Sequence, residues 1–177
     1  MDRLGFIVNL IPKDAVVVDI GTDHCKVPNA LIQKGYKKVY ATEASSGPLE
    51  QAKRNALPGV IISLYDGLKG FTEAVDTAVI AGMGGELIKK ILKESLPAFR
   101  GMTSIILQPM QQIESLRNFL LEENFFIDKE EICREGDKYY QIFRVRAGKD
   151  EPYDTRYFKG QPSEPELLRE YYLKEEK

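Results

Sequence analysis

The sequence predicts an α/β fold: a mostly parallel seven-stranded sheet with helices between the strands and an antiparallel hairpin at its C-terminal end. Three observations predict it. Short β-branched runs alternate with amphipathic helical stretches through most of the chain, which implies right-handed crossovers and parallel pairing. Each run ends in an acid, a glycine or an amide, and the carboxyl ends of strands are where open sheets bind ligands. Near the end, two strand-like runs are separated only by the turn Glu135-Gly136-Asp137-Lys138, with no room for a helix between them.

The first strand covers residues 15–20, where Ala15-Val16-Val17-Val18 leads into Asp19. A helix over 28–34 follows, closed by Gly35. Residues 38–42 form a second strand ending at Glu43, and 47–55 a helix with Leu49, Ala52 and Lys53 at helical spacing. Residues 60–64 are a third strand, followed by Tyr65-Asp66-Gly67-Leu68. Residues 77–81 run into Gly82-Met83-Gly84-Gly85 and a helix over 86–96. Residues 104–107 end at Gln108-Pro109, before a helix over 112–123. The hairpin strands are 127–134 and 139–147. Beyond Gly148 the composition shifts to a linker, a Gly160-Gln161-Pro162-Ser163 turn and a charged helix over 166–177. The expected division is therefore a catalytic unit over 1–148 and an appendage over 149–177. The appendage has too few apolar residues to fold alone, so it docks or frays.

At 177 residues the chain is long enough for one domain with a sizeable core. Its 43% hydrophobic and 29% charged residues are those of an ordinary globular protein. A net charge of -2 argues against indiscriminate coating of nucleic acid, although a local basic patch is compatible with it. Cys25 and Cys133 lack Cys-x-x-Cys spacing, so neither a disulfide framework nor a metal site is indicated. No apolar run approaches a membrane span and Met1-Asp2-Arg3 opens no signal peptide. The expectation is a cytoplasmic protein without a membrane partner; the sequence leaves the oligomeric state open, with a monomer slightly favoured.

The most informative loop is Asp19-Ile20-Gly21-Thr22-Asp23-His24-Cys25-Lys26, which holds two acids and the single histidine. Glu43 ends strand two, where an acid accepts hydrogen bonds from a ribose diol, and Asp66 stands where it can bond an adenine amine. A dinucleotide would satisfy much of this. However, the loop has no second or third glycine and so lacks the G-x-G-x-x-G phosphate cradle, and an acid at Asp23 repels a pyrophosphate. A cationic sulfonium cofactor, S-adenosyl-L-methionine, fits better. Cys25 reads as filler and Tyr139-Tyr140 as hairpin packing. Lys26, Lys34, Lys37 and Lys38 are read as flanking the site mouth, either touching phosphate or solvated.

Taken jointly, Asp19-x-Gly21-Thr22-Asp23-His24-x-x-x-Pro28, Ile80-Ala81-Gly82-Met83-Gly84-Gly85, Leu107-Gln108-Pro109 and Gly136-Asp137-Lys138-x-Tyr140 closely resemble the bacterial TrmK family of tRNA (adenine(22)-N(1))-methyltransferases. The resemblance runs from about Leu10 to Gly148. It implies a class I methyltransferase, Rossmann-like fold, S-adenosyl-L-methionine as methyl donor and tRNA as partner. It implies a cofactor set of Asp19, Gly21, Thr22, Glu43, Ala44, Asp66, Gly67 and Gly82. Met83, Gly84, Gly85, Gln108 and Pro109 would shape the base pocket, with Asp23 and His24 catalytic. Two departures stand out: Cys25-Lys26 where the family usually has Ala-Tyr, and a C-terminal helical domain of which Glu164–Lys177 could be only the beginning. Readings outside this specificity are a methyltransferase for another RNA base or a small molecule, and a non-catalytic cofactor-binding module.

Overall fold

The structure, a computed structural model, describes residues 1–177. Seven strands form one sheet in the order β3-β2-β1-β4-β5-β7-β6. They are β1 (Val17–Ile20), β2 (Val39–Glu43), β3 (Val60–Leu64), β4 (Thr77–Met83), β5 (Ser104–Pro109), β6 (Phe125–Glu135) and β7 (Lys138–Ala147). Pairing is parallel from β3 across to β5, and β7 inserts antiparallel between β5 and β6. The seven-stranded, mostly parallel sheet with its antiparallel hairpin is the predicted one.

Strand alternation decides what reaches the ligand edge. Val17 and Asp19 point to one face of the sheet and Val18 and Ile20 to the other. Asp19 pairs with Ala41 and Val79, and Ala81 pairs with Gln108. Asp19, Glu43, Ala81 and Gln108 therefore share one face. That face carries a core of Val17, Val39, Val79 and Ile106, covered by Phe6, Ile7 and Leu10 of α1 (Arg3–Leu10) and Leu31 of α2 (Lys26–Gln33). The opposite face packs Ile20, Ile80 and Leu107 against α4 (Gly85–Glu94), α5 (Leu96–Arg100) and α6 (Ile113–Glu122). The ten-residue helix α3 (Ser46–Asn55) follows β2, and α7 (Pro165–Glu175) is the last element.

Helix α1 is not among the elements predicted from the sequence. Asp2 caps it, accepting from the Gly5 amide at 2.8 Å, and each fully buried Phe, Ile or Leu contributes about 1.5–3 kcal/mol. The predicted 86–96 helix is also two helices, α4 and α5. Pro97 lacks an N–H and its ring clashes with the preceding turn, so the chain breaks at Ser95 (φ -142°, ψ 38°) and restarts.

The appendage docks. The Glu130 carboxylate accepts from the Gly160 amide at 2.8 Å, and Glu131 accepts from the Ser163 amide at 2.9 Å and its hydroxyl at 2.6 Å. Lys159 donates to the Ile127 carbonyl and to Asp150, both at 2.6 Å. Leu168 of α7 is buried, and Tyr171 packs on Tyr139 with ring centres 5.4 Å apart. No helix is long and apolar enough to cross a membrane.

Candidate active site

A cleft of about 430 Å³ opens at the carboxyl edge of β1, β2 and β4, a volume suited to one cofactor-sized ligand. Its acidic wall comes from Asp19, Asp23 and Glu43, and its other wall from Arg3, Leu4 and Ile7 of α1. Gly21 sits at φ +69° and donates its N–H to the Thr42 carbonyl at 2.9 Å. A Cβ at that position would lie 2.2 Å from the Met83 methyl, so glycine keeps the turn close to β4.

Asp19 is buried at the floor, where the Thr22 hydroxyl donates to it at 2.7 Å. Burial pushes its carboxyl up to about 7; the Thr22 hydrogen bond opposes this and the nearby Glu43 charge adds to it. Burial also raises Glu43, against the Asp23 amide, which donates to its Oε1. Asp23 itself has φ +54°. That left-handed turn sends its N–H toward Glu43 while its carboxylate, 72% exposed, stands at the cleft rim. His24 follows, with Nε2 3.7 Å from the Asp23 carboxylate and Nδ1 3.2 Å from the Gln51 amide. If the amide donates, the proton is on Nε2, facing Asp23. Burial raises the Cys25 thiol, whose Sγ donates to the Ala52 carbonyl at 3.4 Å; it is packing, not a nucleophile.

Gly82 is the extra residue in the β4–β5 ladder, between the Ala81–Gln108 and Met83–Pro109 pairs. Its φ is +76°, nothing lies within 4 Å of where its Cβ would be, and its amide donates to the buried Gln108 Oε1 at 3.1 Å. A bulge at a strand's carboxyl end opens room there. Thr22, Met83 and Gln108 also line the cleft.

Other predicted residues lie outside the lining. Asp66 bonds Lys69 at 3.2 Å, and Gly67 accepts from the Thr42 hydroxyl at 3.4 Å and packs on Ile91. Ala44 follows Glu43 just past the lining, and Pro109 is buried beside Met83. Gly84 and Gly85 serve packing: a Cβ on Gly85 would meet the Gln112 carbonyl at 2.5 Å. Of the four lysines only Lys26 lines the cleft. Lys34, Lys37 and Lys38 gather with Lys13 around a depression that precedes β1 and β2. They are at the opposite edge of the sheet, because the strands run away from them. Arg3 is the site residue that sequence reasoning missed; the Asp2 cap and the apolar spacing of Leu4, Ile7, Val8 and Ile11 were its available signals.

The methyltransferase domain family matches residues 1–143. The tRNA (adenine(22)-N(1))-methyltransferase of Bacillus subtilis (strain 168) is 32% identical over 160 residues, covering 86% of this chain and 67% of that protein. This chain belongs to the TrmK family. Among solved structures, Streptococcus pneumoniae Sp1610 in complex with S-adenosyl-L-methionine is similar to this TrmK-family chain with TM-score 0.88 and 32% identity, covering 98% of this chain and 86% of that one. M. capricolum TrmK in complex with S-adenosyl-homocysteine gives TM-score 0.84 at 25% identity, covering 99% and 83%. This chain is thus shorter than these relatives.

Proposed function

We propose that the chain transfers a methyl group from S-adenosyl-L-methionine to N1 of adenine 22 in tRNA. The observation that carries this reading is the turn at Asp23, which gives its backbone to the cofactor wall and its carboxylate to the rim where an acceptor enters. The cleft fits a cationic cofactor. It holds two buried carboxyls, Asp19 and Glu43, and clear backbone at Gly21 and Gly82, with no glycine cradle for a pyrophosphate. Asp19 would hold the ammonium end and Glu43 the ribose diol, with Gly82 leaving room beside them. When bound, the cofactor supplies an electrophilic methyl on a sulfonium.

The protein's part is positioning and electrostatics. N1 lies on the Watson–Crick edge, so the base must leave its stack to reach the cleft. Holding two reactants in line accounts for up to ~7–11 kcal/mol of a barrier. The adenine ring gains positive charge as N1 takes the methyl, and the Asp23 carboxylate stabilises that charge, with His24 holding its orientation. Gln108, locked by Gly82, and Met83 shape the wall against the ring. Incubation with labelled cofactor and unmodified tRNA, followed by nucleoside mapping, tests the reading. Label at N1 of adenine 22 supports it; label on another nucleoside, or binding without transfer, overturns it.

The buried acid makes a second expectation. The ammonium of the cofactor prefers the Asp19 carboxylate, so affinity should rise with pH to about 7 and level off above it. Below that, the loss approaches about tenfold per pH unit. Titration calorimetry across pH 5.5–8.5 should show this, and Asp19→Asn should flatten it. The sign for stability is opposite. A carboxyl raised from 3.8 to about 7 contributes stability that is fully present below 3.8 and lost as pH rises through 7. The free protein should therefore melt lower at pH 8 than at pH 6 by a margin that Asp19→Asn removes.

A further inference from the structure

Two cations stand in the cleft without counter-ions. Arg3 and Lys26 are the basic residues of the lining, and neither forms an ion pair. Arg3 is held in place. Its guanidinium lies 4.6 Å from the centre of the Tyr140 ring, with Nη1 3.4 Å from Gln108 Oε1 and 3.6 Å from Met110 Sδ. Its Nε and Nη2 find no acceptor in the protein. A half-buried guanidinium stacked on one face, with its remaining donors unspent, is preorganised for an oxyanion that accepts two hydrogen bonds.

The charge layout says which oxyanion. Asp19, Asp23 and Glu43 make the opposite wall negative, which suits a sulfonium and an adenine turning cationic and repels phosphate. A cation against the methylated ring would oppose the reaction. The α1–α2 side is therefore where the backbone of an extruded nucleotide can run while its base meets Asp23. We propose that Arg3, with Lys26 as a second point, clamps the phosphodiester adjoining the target adenosine. This rests on the RNA reading of the preceding section. It makes Arg3 a positioning residue that acts through the RNA backbone, not through the base.

The test is tRNA binding as a function of salt, for wild type, Arg3→Ala, Arg3→Lys and Lys26→Ala, with S-adenosyl-homocysteine affinity measured alongside. Losing one phosphate contact should reduce the slope of log K against log salt by about 0.7–0.9. Arg3→Ala should show this reduction with cofactor affinity unchanged, whereas Arg3→Lys should keep the slope and lose affinity, since it retains charge but not the fork. Unchanged slope and tRNA affinity in Arg3→Ala overturn the clamp. If Arg3→Ala loses cofactor binding too, Lys26→Ala, a change on an exposed side chain, decides: a reduced slope supports the clamp and an unchanged one overturns it. A wild-type protein that methylates adenine 22 while Arg3→Ala binds tRNA normally removes the clamp alone. A wild type with no salt-dependent tRNA binding removes the RNA reading and the clamp together.

Discussion

Asp23→Asn is expected to slow methyl transfer by about 10²–10⁴-fold while cofactor affinity stays within about twofold, as suits the loss of one acid–base or charge-stabilising group. Asn is the informative substitution because of the backbone. Asp23 lies at φ +54°, where Asn is tolerated and Ala is strained by roughly 1–2 kcal/mol. The contact to Glu43 comes from the Asp23 amide and survives any side chain. What Asn removes is the negative charge at the rim. A unit charge about 4 Å from a developing cation is worth about 4 kcal/mol at an effective dielectric near 20, close to a thousandfold in rate, a value that requires the proposed RNA substrate to exclude water from the rim on docking. Single-turnover methylation with saturating tRNA isolates the chemical step. A full rate in Asp23→Asn would remove Asp23 from the mechanism. His24→Ala, which only releases the orientation of the carboxylate, should lose less than Asp23→Asn in the same assay.

Much of this site is legible before any coordinates. The β-branched runs ending in Asp19, Glu43 and Gly82 report strands, and parallel pairing then brings their ends together without further information. Other parts are not legible, for identifiable reasons. Lys34, Lys37 and Lys38 look near the loop in sequence, yet the chain must return to the far edge of the sheet before starting a parallel strand. Asp66 follows β3 by two residues, and its exposed carboxylate accepts from Lys69 outside the cleft lining, a local pairing that strand order does not report. Gly84 and Gly85 read as ligand glycines, while Gly84 lies against the Gln111 side chain and Gly85 against the Gln111 and Gln112 carbonyls. The docking of residues 149–177 leaves little hydropathy trace beyond Leu168 and the tyrosines of α7. Its anchors are the carboxylates of Glu130 and Glu131 receiving backbone amides, and charged residues in a hairpin read as solvated.

That polar anchor makes Arg117→Ala the substitution with the largest expected effect on stability. Arg117 is 1% exposed and pairs with Glu130, which is 5% exposed. Its guanidinium also donates to Gln141 at 3.3 Å and Tyr153 at 3.4 Å, and lies over the rings of Phe143 and Phe158 at 4.4 and 5.1 Å. Ala would leave Glu130 buried with only the amides of Lys159 and Gly160 as partners. Breaking a buried pair from one side costs about 3–5 kcal/mol. For a domain of this size that corresponds to a fall in Tm of roughly 10 °C. The loss should be local first, because the tail meets β6 at the sheet edge farthest from β1 and β2. Hydrogen exchange should accelerate over residues 150–163 before it does in β1 or β4, and methyl transfer per folded molecule should hold. Replacing both partners, Arg117→Met with Glu130→Leu, should recover most of the stability in a double-mutant cycle, since the desolvated charge disappears with its partner. A double variant as unstable as Arg117→Ala would mean that the aromatic stack and the amide bonds to Glu130, not the charge pair, hold the tail.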